Sequence, residues 1–182
     1  KAYSWLKAPR YLNEPYEAGP LARMWVNGDY RKGISVMDRH LARAQEALKV
    51  AQAMNQWVNK LQIGQPVYKT WSAPAAASAV GLTEAPRGAL GHWLQISGKK
   101  IARYQVITPT CWNASPRDAQ NARGPIEQAL IGTPVKDKDR PVEVLRVIHS
   151  YDPCLSCAVH VMRPQSDKKI FVTGSSAGGD SL

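Results

Sequence analysis

Residues 150–160 read Ser-Tyr-Asp-Pro-Cys-Leu-Ser-Cys-Ala-Val-His, and this stretch contains two of the three cysteines and one of the four histidines of the chain. The two thiols, Cys154 and Cys157, are separated by two residues, so they can converge on one metal ion or on each other. Two soft sulfur ligands favour a transition metal over Mg or Ca. The stretch therefore predicts the site around which the rest of the chain is organised.

The spacing alone leaves the chemistry of these thiols open. A structural zinc site needs two further ligands, for which His160 is one candidate and Cys111 or His149 the other. A thioredoxin-like redox pair is the second alternative. That pair opens a helix directly after a strand, whereas here a helical pattern and Asp152-Pro153 precede the thiols. The pattern therefore favours metal binding over redox chemistry, and it does not name the metal.

Size and composition are those of an ordinary globular protein. The chain has 182 residues and a hydrophobic fraction of 44%, which is enough for one domain or a small pair with a real core. No apolar run reaches the roughly 18 residues that a membrane span needs. The first residues have no signal-peptide layout, and three cysteines are too few to suggest a disulfide scaffold.

The formal net charge of +10 raises the question of a nucleic-acid partner. The basic residues are spread along the chain without a long Lys/Arg run, and no nucleic-acid motif accompanies them. We therefore expect no nucleic-acid binding. A basic face towards an acidic partner subunit explains the charge equally well.

The clearest secondary structure is a helix predicted over residues 34–62. Apolar residues recur there at steps of three and four, which places them on one helix face. They are Ile34, Met37, Leu41, Ala44, Leu48, Ala51, Met54, Val58 and Leu61. A helix of about 28 residues is roughly 42 Å long, so we expect it to pack on other polypeptide as well.

The remaining chain is predicted to combine shorter helices with one small β-hairpin, so the fold class is mainly α. Pro20 suits the first turn of a short helix. The other predictions are a loop over residues 65–88, a hairpin over 89–108, a turn-rich loop to 116, a broken helical segment over 118–132, a helix over 140–151 and a flexible tail with a β-like piece at 169–173.

Residues 86–88, Pro-Arg-Gly, form the tip of the predicted loop. Pro86 restricts the backbone before Arg87, and Gly88 frees it afterwards. One interpretation is an ordinary surface turn. The functional interpretation is a guanidinium held out towards an anion or a metal-bound group.

Several ordered segments resemble the large subunit of nickel–iron hydrogenases. Residues 152–160 (Asp-Pro-Cys-Leu-Ser-Cys-Ala-Val-His) are similar to the C-terminal metal-binding motif of that family. Further matches are residues 85–93 (Ala-Pro-Arg-Gly-Ala-Leu-Gly-His-Trp), 108–118 (Thr-Pro-Thr-Cys-Trp-Asn-Ala-Ser-Pro-Arg-Asp), 124–134 (Gly-Pro-Ile-Glu-Gln-Ala-Leu-Ile-Gly-Thr-Pro), 3–11 and 19–23. The resemblance implies the C-terminal part of the helical-bundle large-subunit fold over residues 1–160, followed by an extension, 161–182, that is normally removed in maturation.

The resemblance also implies a nickel–iron centre whose iron carries CO and cyanide ligands. Four cysteines in two Cys-x-x-Cys pairs hold such a centre. By resemblance, Cys154 is a terminal nickel ligand and Cys157 bridges nickel and iron. Arg87 corresponds to a guanidinium above the open coordination position.

Further roles follow from the same resemblance. Thr110 corresponds to a hydroxyl that hydrogen-bonds a cyanide, Asp152 pairs with Arg87 and orients it, and Pro86 walls the site. His160 corresponds to a ligand of a separate Mg (or Fe) ion, with a backbone carbonyl near Val106 as a second ligand.

The sequence departs from the family pattern in three respects. The first Cys-x-x-Cys pair and the N-terminal proton-relaying Glu of the family are absent, so the N-terminal half of the large subunit is an expected partner. Residues 161–182 continue past the position at which a maturation protease cleaves. Cys111 is an additional thiol, which we interpret as a buried packing residue, because free cysteines are usually buried.

The function that the resemblance implies is that of an oxidoreductase: heterolytic cleavage of H2, with electrons passed to iron–sulfur clusters of a small subunit. An uptake hydrogenase in a higher oligomer, cytoplasmic or membrane-associated, is the expected setting. The alternative is an unprocessed metal-free precursor or a zinc-stapled, non-catalytic scaffold of the same fold.

Overall fold

The computed structural model describes residues 3–4, 6–154, 159–163 and 166–173. Helices and strands are interspersed along these residues. In chain order they are α1 (Pro20–Asn27), α2 (Val36–Val58), β1 (Ala76–Ala85), β2 (Gly88–Ser97), β3 (Lys100–Ile107), α3 (Pro109–Asn113), α4 (Pro125–Leu130), α5 (Val142–Ser150), β4 (Val159–Arg163) and β5 (Ser166–Thr173).

The sheet of β1, β2 and β3 corrects the prediction of a mainly α fold with one small hairpin. The three strands are antiparallel in the order β1-β2-β3, and the predicted loop over residues 65–88 contains the whole of β1. Most of its side chains are small, so its own strand propensity is low. Pairing with β2 from Ala76↔Ser97 to Ala85↔Gly88 makes it a strand. The fold is therefore mixed α and β.

Helix α2 is confirmed, although it is shorter than the predicted range of 34–62. It begins after Ser35, whose side chain forms a capping box with Asp38, and this local arrangement sets the first turn. The apolar stripe of the prediction is open to solvent, with Met37 63% and Leu48 61% exposed. The side of α2 that packs on the rest of the described chain contains Arg39 and Ala42 instead.

Two small hydrophobic clusters hold the helices together. Leu21, Met24, Tyr30 and Ala42 form the first cluster, where α1 packs on α2. The second cluster lies where α4 packs on α5. It contains Ile126, Val147, Ile148 and Tyr151. Helix α2 lies beside both α1 and α5, so it connects the two clusters.

The helical segment predicted over residues 118–132 is confirmed only at α4. The carboxylate of Asp118 accepts the backbone N–H groups of Gln120 and Ala122 and pairs with Arg10 at 2.9 Å, which keeps this part of the chain in a loop. Gly124 then passes so close to Ser115 that a Cβ atom on it would lie 2.0 Å from the Ser115 carbonyl oxygen. A glycine is therefore required where this loop enters α4.

Other elements differ less from the prediction. The short helix beginning at Pro20 and the helix over 140–151 are confirmed as α1 and α5, whereas α3 lies in a predicted loop. The predicted β-like piece at 169–173 is part of β5, which pairs with β4. The predicted boundary between His160 and Val161 falls inside β4 and stays a prediction. Residues 174–182 of the tail lie outside the described residues.

We predict that Asp38 makes the stability of the fold pH-dependent. Hydrogen bonds from the Ser35 hydroxyl, the Tyr30 hydroxyl and the Ser35 backbone N–H lower the pKa of this carboxyl group. The contribution of Asp38 to the free energy of unfolding is therefore present above its pKa in the unfolded chain, which is about 4. It is lost as the pH falls through the lower pKa of the folded protein. Asp38→Asn should lower the free energy of unfolding at neutral pH and reduce its decrease in acid, as measured by urea unfolding at a series of pH values.

Ser35→Thr is the matched control, because threonine is also a good N-cap and keeps the hydroxyl. It should retain the pH profile of the unsubstituted protein. An Asp38→Asn variant with an unchanged acid profile would contradict this account.

Candidate metal-binding site

Four segments of the chain meet beside the β1–β2 turn. They are helix α3, residues 17–19 before α1, residues 86–87 of the turn itself, and residues 152–154 after α5. Backbone and side-chain contacts join each segment to the next. The Cys154 end of the Cys-x-x-Cys motif lies in the last of these segments.

The turn that carries Arg87 is fixed from behind by close backbone packing. Gly88 has a φ of +133°, and a Cβ atom on it would lie 2.6 Å from the backbone nitrogen of Gly19. Only glycine adopts this conformation readily and leaves room for this approach. Arg23 of α1 donates 2.9 Å hydrogen bonds to the carbonyl oxygens of Ala85 and Pro86. Pro86 is thereby held by its backbone.

Arg87 and Asp152 contact each other. The Arg87 Nε donates to the Asp152 carbonyl oxygen at 2.9 Å and lies 3.3 Å from Asp152 Oδ2. The two side chains are 41% and 43% exposed, so the ion pair contributes little to stability. Its structural effect is orientation, since one edge of the guanidinium is engaged. The two Nη groups of Arg87 have no hydrogen bond within the described part of the chain.

Thr110 is buried in the first turn of α3, and its Oγ1 accepts the Cys154 backbone N–H at 3.2 Å. This bond ties the start of α3 to the motif. The Cys154 thiol is free and exposed. Cys111 is buried, with its sulfur 3.2 Å from the hydroxyl oxygen of Thr108, which agrees with our interpretation of it as a packing residue.

The structure does not describe the side chains of two predicted metal ligands. Cys157 lies outside the described residues. His160 lies in β4, where its backbone pairs with Val172. The carbonyl oxygen of Val106, the predicted second ligand of the Mg (or Fe) ion, accepts a 2.9 Å hydrogen bond from the Lys7 ammonium group. A cation at that carbonyl would therefore lie beside the positive charge of Lys7, which disfavours its binding.

The zinc-staple alternative stays a prediction, since Cys157 and the side chain of His160 do not belong to the described side chains. No group of three or more His, Cys, Asp or Glu side chains able to hold a metal ion is found among them. Cys111 and His149 are therefore not assembled with Cys154 into such a group. The residues whose segments meet here, Cys154 with its exposed thiol, Arg87 and Thr110, are of the types that suit a soft metal with anionic ligands.

A buried polar cluster that the sequence patterns did not indicate lies behind the site. Arg39 of α2 lies off the predicted apolar stripe, yet it is 5% exposed and pairs with Glu17. It also donates to the hydroxyl of Tyr151, the residue before Asp152. Burial and the nearby Glu17 carboxylate raise the pKa of Tyr151, against the opposing effect of Arg39, so the hydroxyl stays protonated. The spacing of Arg39, Ala42 and Glu46 along one side of α2 is the signal that marks this side.

Comparisons with known proteins agree on one family. The sequence profile of the nickel-dependent hydrogenases matches residues 26–160. The large subunit of the periplasmic NiFeSe hydrogenase of Desulfomicrobium baculatum is 44% identical over an alignment that covers 94% of this chain and 38% of the relative. The uptake hydrogenase large subunit of Bradyrhizobium diazoefficiens is 38% identical over 91% of this chain and 33% of the relative.

Solved structures show the same similarity. The NiFeSe hydrogenase of Desulfomicrobium baculatum superposes with a TM-score of 0.80 and 48% identity, covering 87% of this chain and 37% of that chain. The enzyme of D. vulgaris Hildenborough has a TM-score of 0.80 and 40% identity over 86% of this chain and 38% of that one. The chain thus spans 38% and 33% of the length of the two large subunits that it matches.

We predict that Gly88→Ala displaces Arg87 and destabilises the fold. The added methyl group would collide with residues 18–19, and a φ of +133° is strained for alanine. Gly98→Ala in the β2–β3 turn is the matched control: its φ is +58°, with nothing within 4 Å of the added Cβ, so its cost is roughly 1–2 kcal/mol of left-handed backbone strain. Urea unfolding should show a clearly larger loss for Gly88→Ala, and equal losses would contradict the close packing.

Proposed function

The chain belongs to the nickel-dependent hydrogenase family, and we propose that it supplies one cysteine pair and the surrounding donors to a nickel–iron centre that cleaves H2 heterolytically. The observation that supports this most is the meeting of Cys154, Arg87, Thr110 and Asp152 at one place. All four lie within the residues that match the family profile. The chain spans only part of the large subunits that it matches, so the activity belongs to the complete protein.

In this proposal, Cys154 and Cys157 hold the metal centre. When bound, a nickel–iron centre with CO and cyanide ligands would supply an electron-rich, soft metal site at which H2 is polarised towards heterolysis. Thiolate ligands suit nickel because both are soft. The exposure of the Cys154 thiol leaves it accessible to a metal held jointly with ligands from elsewhere in the protein.

Arg87 and Thr110 act as hydrogen-bond donors towards the anionic ligands of the iron. The Arg87 Nε is engaged by Asp152, so the two Nη groups remain for a ligand, and a guanidinium donates but does not accept. Thr110 accepts the Cys154 N–H through its oxygen, which leaves its own proton for donation. Asp152 orients the guanidinium, and Pro86 stiffens the turn that carries it.

The partners and the setting follow from the family. A large subunit implies a small subunit, and we propose that this small subunit carries the iron–sulfur clusters that accept the electrons. The first Cys-x-x-Cys pair comes from the N-terminal half of the large subunit, and a maturation protease removes residues 161–182. The Mg (or Fe) ion at His160 stays a prediction, and near Val106 it would face the ammonium group of Lys7.

One relative favours a compartment that differs from the one expected from sequence. Among the helices of the described residues, none is both long and apolar enough to cross a membrane. The name of the Desulfomicrobium relative favours the periplasm, whereas the sequence led us to expect a cytoplasmic or membrane-associated protein. The Bradyrhizobium relative supports the uptake direction.

Metal analysis of the complete enzyme tests the proposed function. We expect nickel and iron, together with infrared bands of CO and cyanide, and we expect Cys154→Ser to lose nickel and H2 oxidation because a hydroxyl is a poor ligand for this metal. Cys111→Ser is the control, since Cys111 is buried beside Thr108, and it should keep the metal. Zinc or no metal, with a silent infrared window, would overturn the proposal in favour of a precursor or a zinc-stapled scaffold.

We further predict that Arg87→Lys lowers H2 oxidation while nickel content is retained. Lysine keeps the positive charge but cannot donate to Asp152 and to a ligand in the fixed geometry of a guanidinium. Loss of an orienting partner beside a metal typically reduces activity about 10- to 100-fold. Arg140→Lys is the control, because Arg140 is an exposed arginine paired with Asp137. Equal activities of the two variants would remove Arg87 from the site.

A further inference from the structure

The buried guanidinium of Arg39 contacts two segments that lead to the site. Its Nε and Nη2 donate to the two carboxylate oxygens of Glu17 at 2.9 and 2.7 Å. The same Nη2 donates to the Tyr151 hydroxyl at 2.6 Å, and the Arg39 Cζ atom lies 3.9 Å from the centroid of the Tyr151 ring. The side chain of Arg39 is 6% exposed, so these bonds are screened little by solvent.

One partner of Arg39, Tyr151, lies directly before the segment that contains Cys154. Tyr151 is followed by Asp152, which has a left-handed φ of +49° and leads to Cys154. The Tyr151 hydroxyl also donates to the Pro125 carbonyl oxygen at 3.1 Å. One turn further along α2, Arg43 donates to the Ser150 carbonyl oxygen at 2.9 Å. Helix α2 therefore holds residues 150 and 151 through two arginines.

On the other side, the contact leads to Arg87. Glu17 is followed by Ala18, whose backbone N–H and carbonyl are both bonded to the side-chain amide of Asn113 in α3. Gly19 then packs on Arg87, so that a Cβ atom at residue 19 would lie 2.9 Å from the Arg87 carbonyl oxygen. A shift of Glu17 would thus be transmitted to the turn that carries Arg87.

We propose that Arg39 is a positioning residue, which sets the Cys154 segment and the Arg87 turn relative to each other through Tyr151 and Glu17. The inference rests on the proposed function, because the relative placement of Cys154 and Arg87 matters only if both residues serve one metal centre. The Arg87–Asp152 pair orients the guanidinium, but it is half-exposed and weakly held, so it does not by itself fix how the Cys154 segment lies relative to the Arg87 turn. A displacement of about 1 Å at a reacting centre lowers rates by up to roughly 100-fold.

The test uses Arg39→Lys, Tyr151→Phe and the double variant in the complete large subunit with its small subunit. Arg39→Lys keeps the charge opposite Glu17 but loses the forked geometry, and Tyr151→Phe removes only the hydroxyl. We expect each single variant to shift the CO and cyanide infrared bands and to lower H2 oxidation about 10-fold at unchanged nickel content. The double variant should oxidise H2 no more slowly than the less active of the two single variants, because both substitutions break the same contact.

Arg10→Lys is the matched control. Arg10 is also a largely buried arginine paired with a carboxylate, Asp118. Its other partners are Pro9, Ser115, Pro116 and Ala122, none of which belongs to the site. It should lower the melting temperature without moving the infrared bands. A merely structural role for Arg39 predicts the same behaviour for Arg39→Lys, and that result would overturn the proposal.

A measurement on the metal-free large subunit separates this inference from the proposed function. The alkylation rate of the exposed Cys154 thiol, followed by peptide mass mapping, should change several-fold in Arg39→Lys and Tyr151→Phe and stay constant in Arg10→Lys. An unsubstituted enzyme without nickel or infrared bands would overturn the proposed function alone, since alkylation still decides the role of Arg39. An enzyme with the metal centre whose bands and alkylation rate are unaffected by Arg39→Lys would overturn the positioning role alone.

Discussion

Burial of one positive charge constrains the arrangement of the helices. A guanidinium removed from water is costly unless anionic and polar partners surround it. Arg39 is buried on the inner side of α2, so a carboxylate and hydrogen-bond acceptors must come to it. Glu17 comes from the segment before α1 and Tyr151 from the end of α5. This one requirement brings together three parts of the chain that are far apart in sequence.

The site is built at the ends of regular elements rather than within them. Arg87 lies in the two-residue connection between β1 and β2, Thr110 in the first turn of α3, and Cys154 four residues after the end of α5. Such positions leave side chains free to face a ligand, while the strands and helices fix where the backbone begins and ends. Gly88 packs so closely on residues 18–19 that no residue with a Cβ atom fits at this position without a shift of the backbone. The thiol and the guanidinium are consequently exposed groups on a constrained backbone.

Much of the candidate site could be predicted from sequence because its residues lie in short, ordered motifs. Cys154, Arg87, Thr110 and Asp152 were identified from segments that resemble one family, and the structure brings these four residues together. Strand β1 could not be predicted, because its small side chains carry almost no strand signal and its pairing partner is a different segment. The apolar stripe of α2 predicted the helix correctly, whereas the side that packs on the described chain carries Arg39 and Ala42 instead. Periodicity reports which residues share a face, and only packing determines what that face contacts.

The sequence by itself determined the elements whose signals are local. Proline at the first turn of α1, the three-to-four spacing of α2 and the two-residue spacing of the thiols all act within a few residues, so each can be interpreted without knowing the rest of the chain. The tertiary structure alone decided the burial of Arg39, because its partners are 22 and 112 residues away. It also decided the hydrogen bond of Lys7 to the Val106 carbonyl, across 99 residues. The cost of an unpaired buried charge depends on which groups surround it, and that environment exists only once the chain has folded.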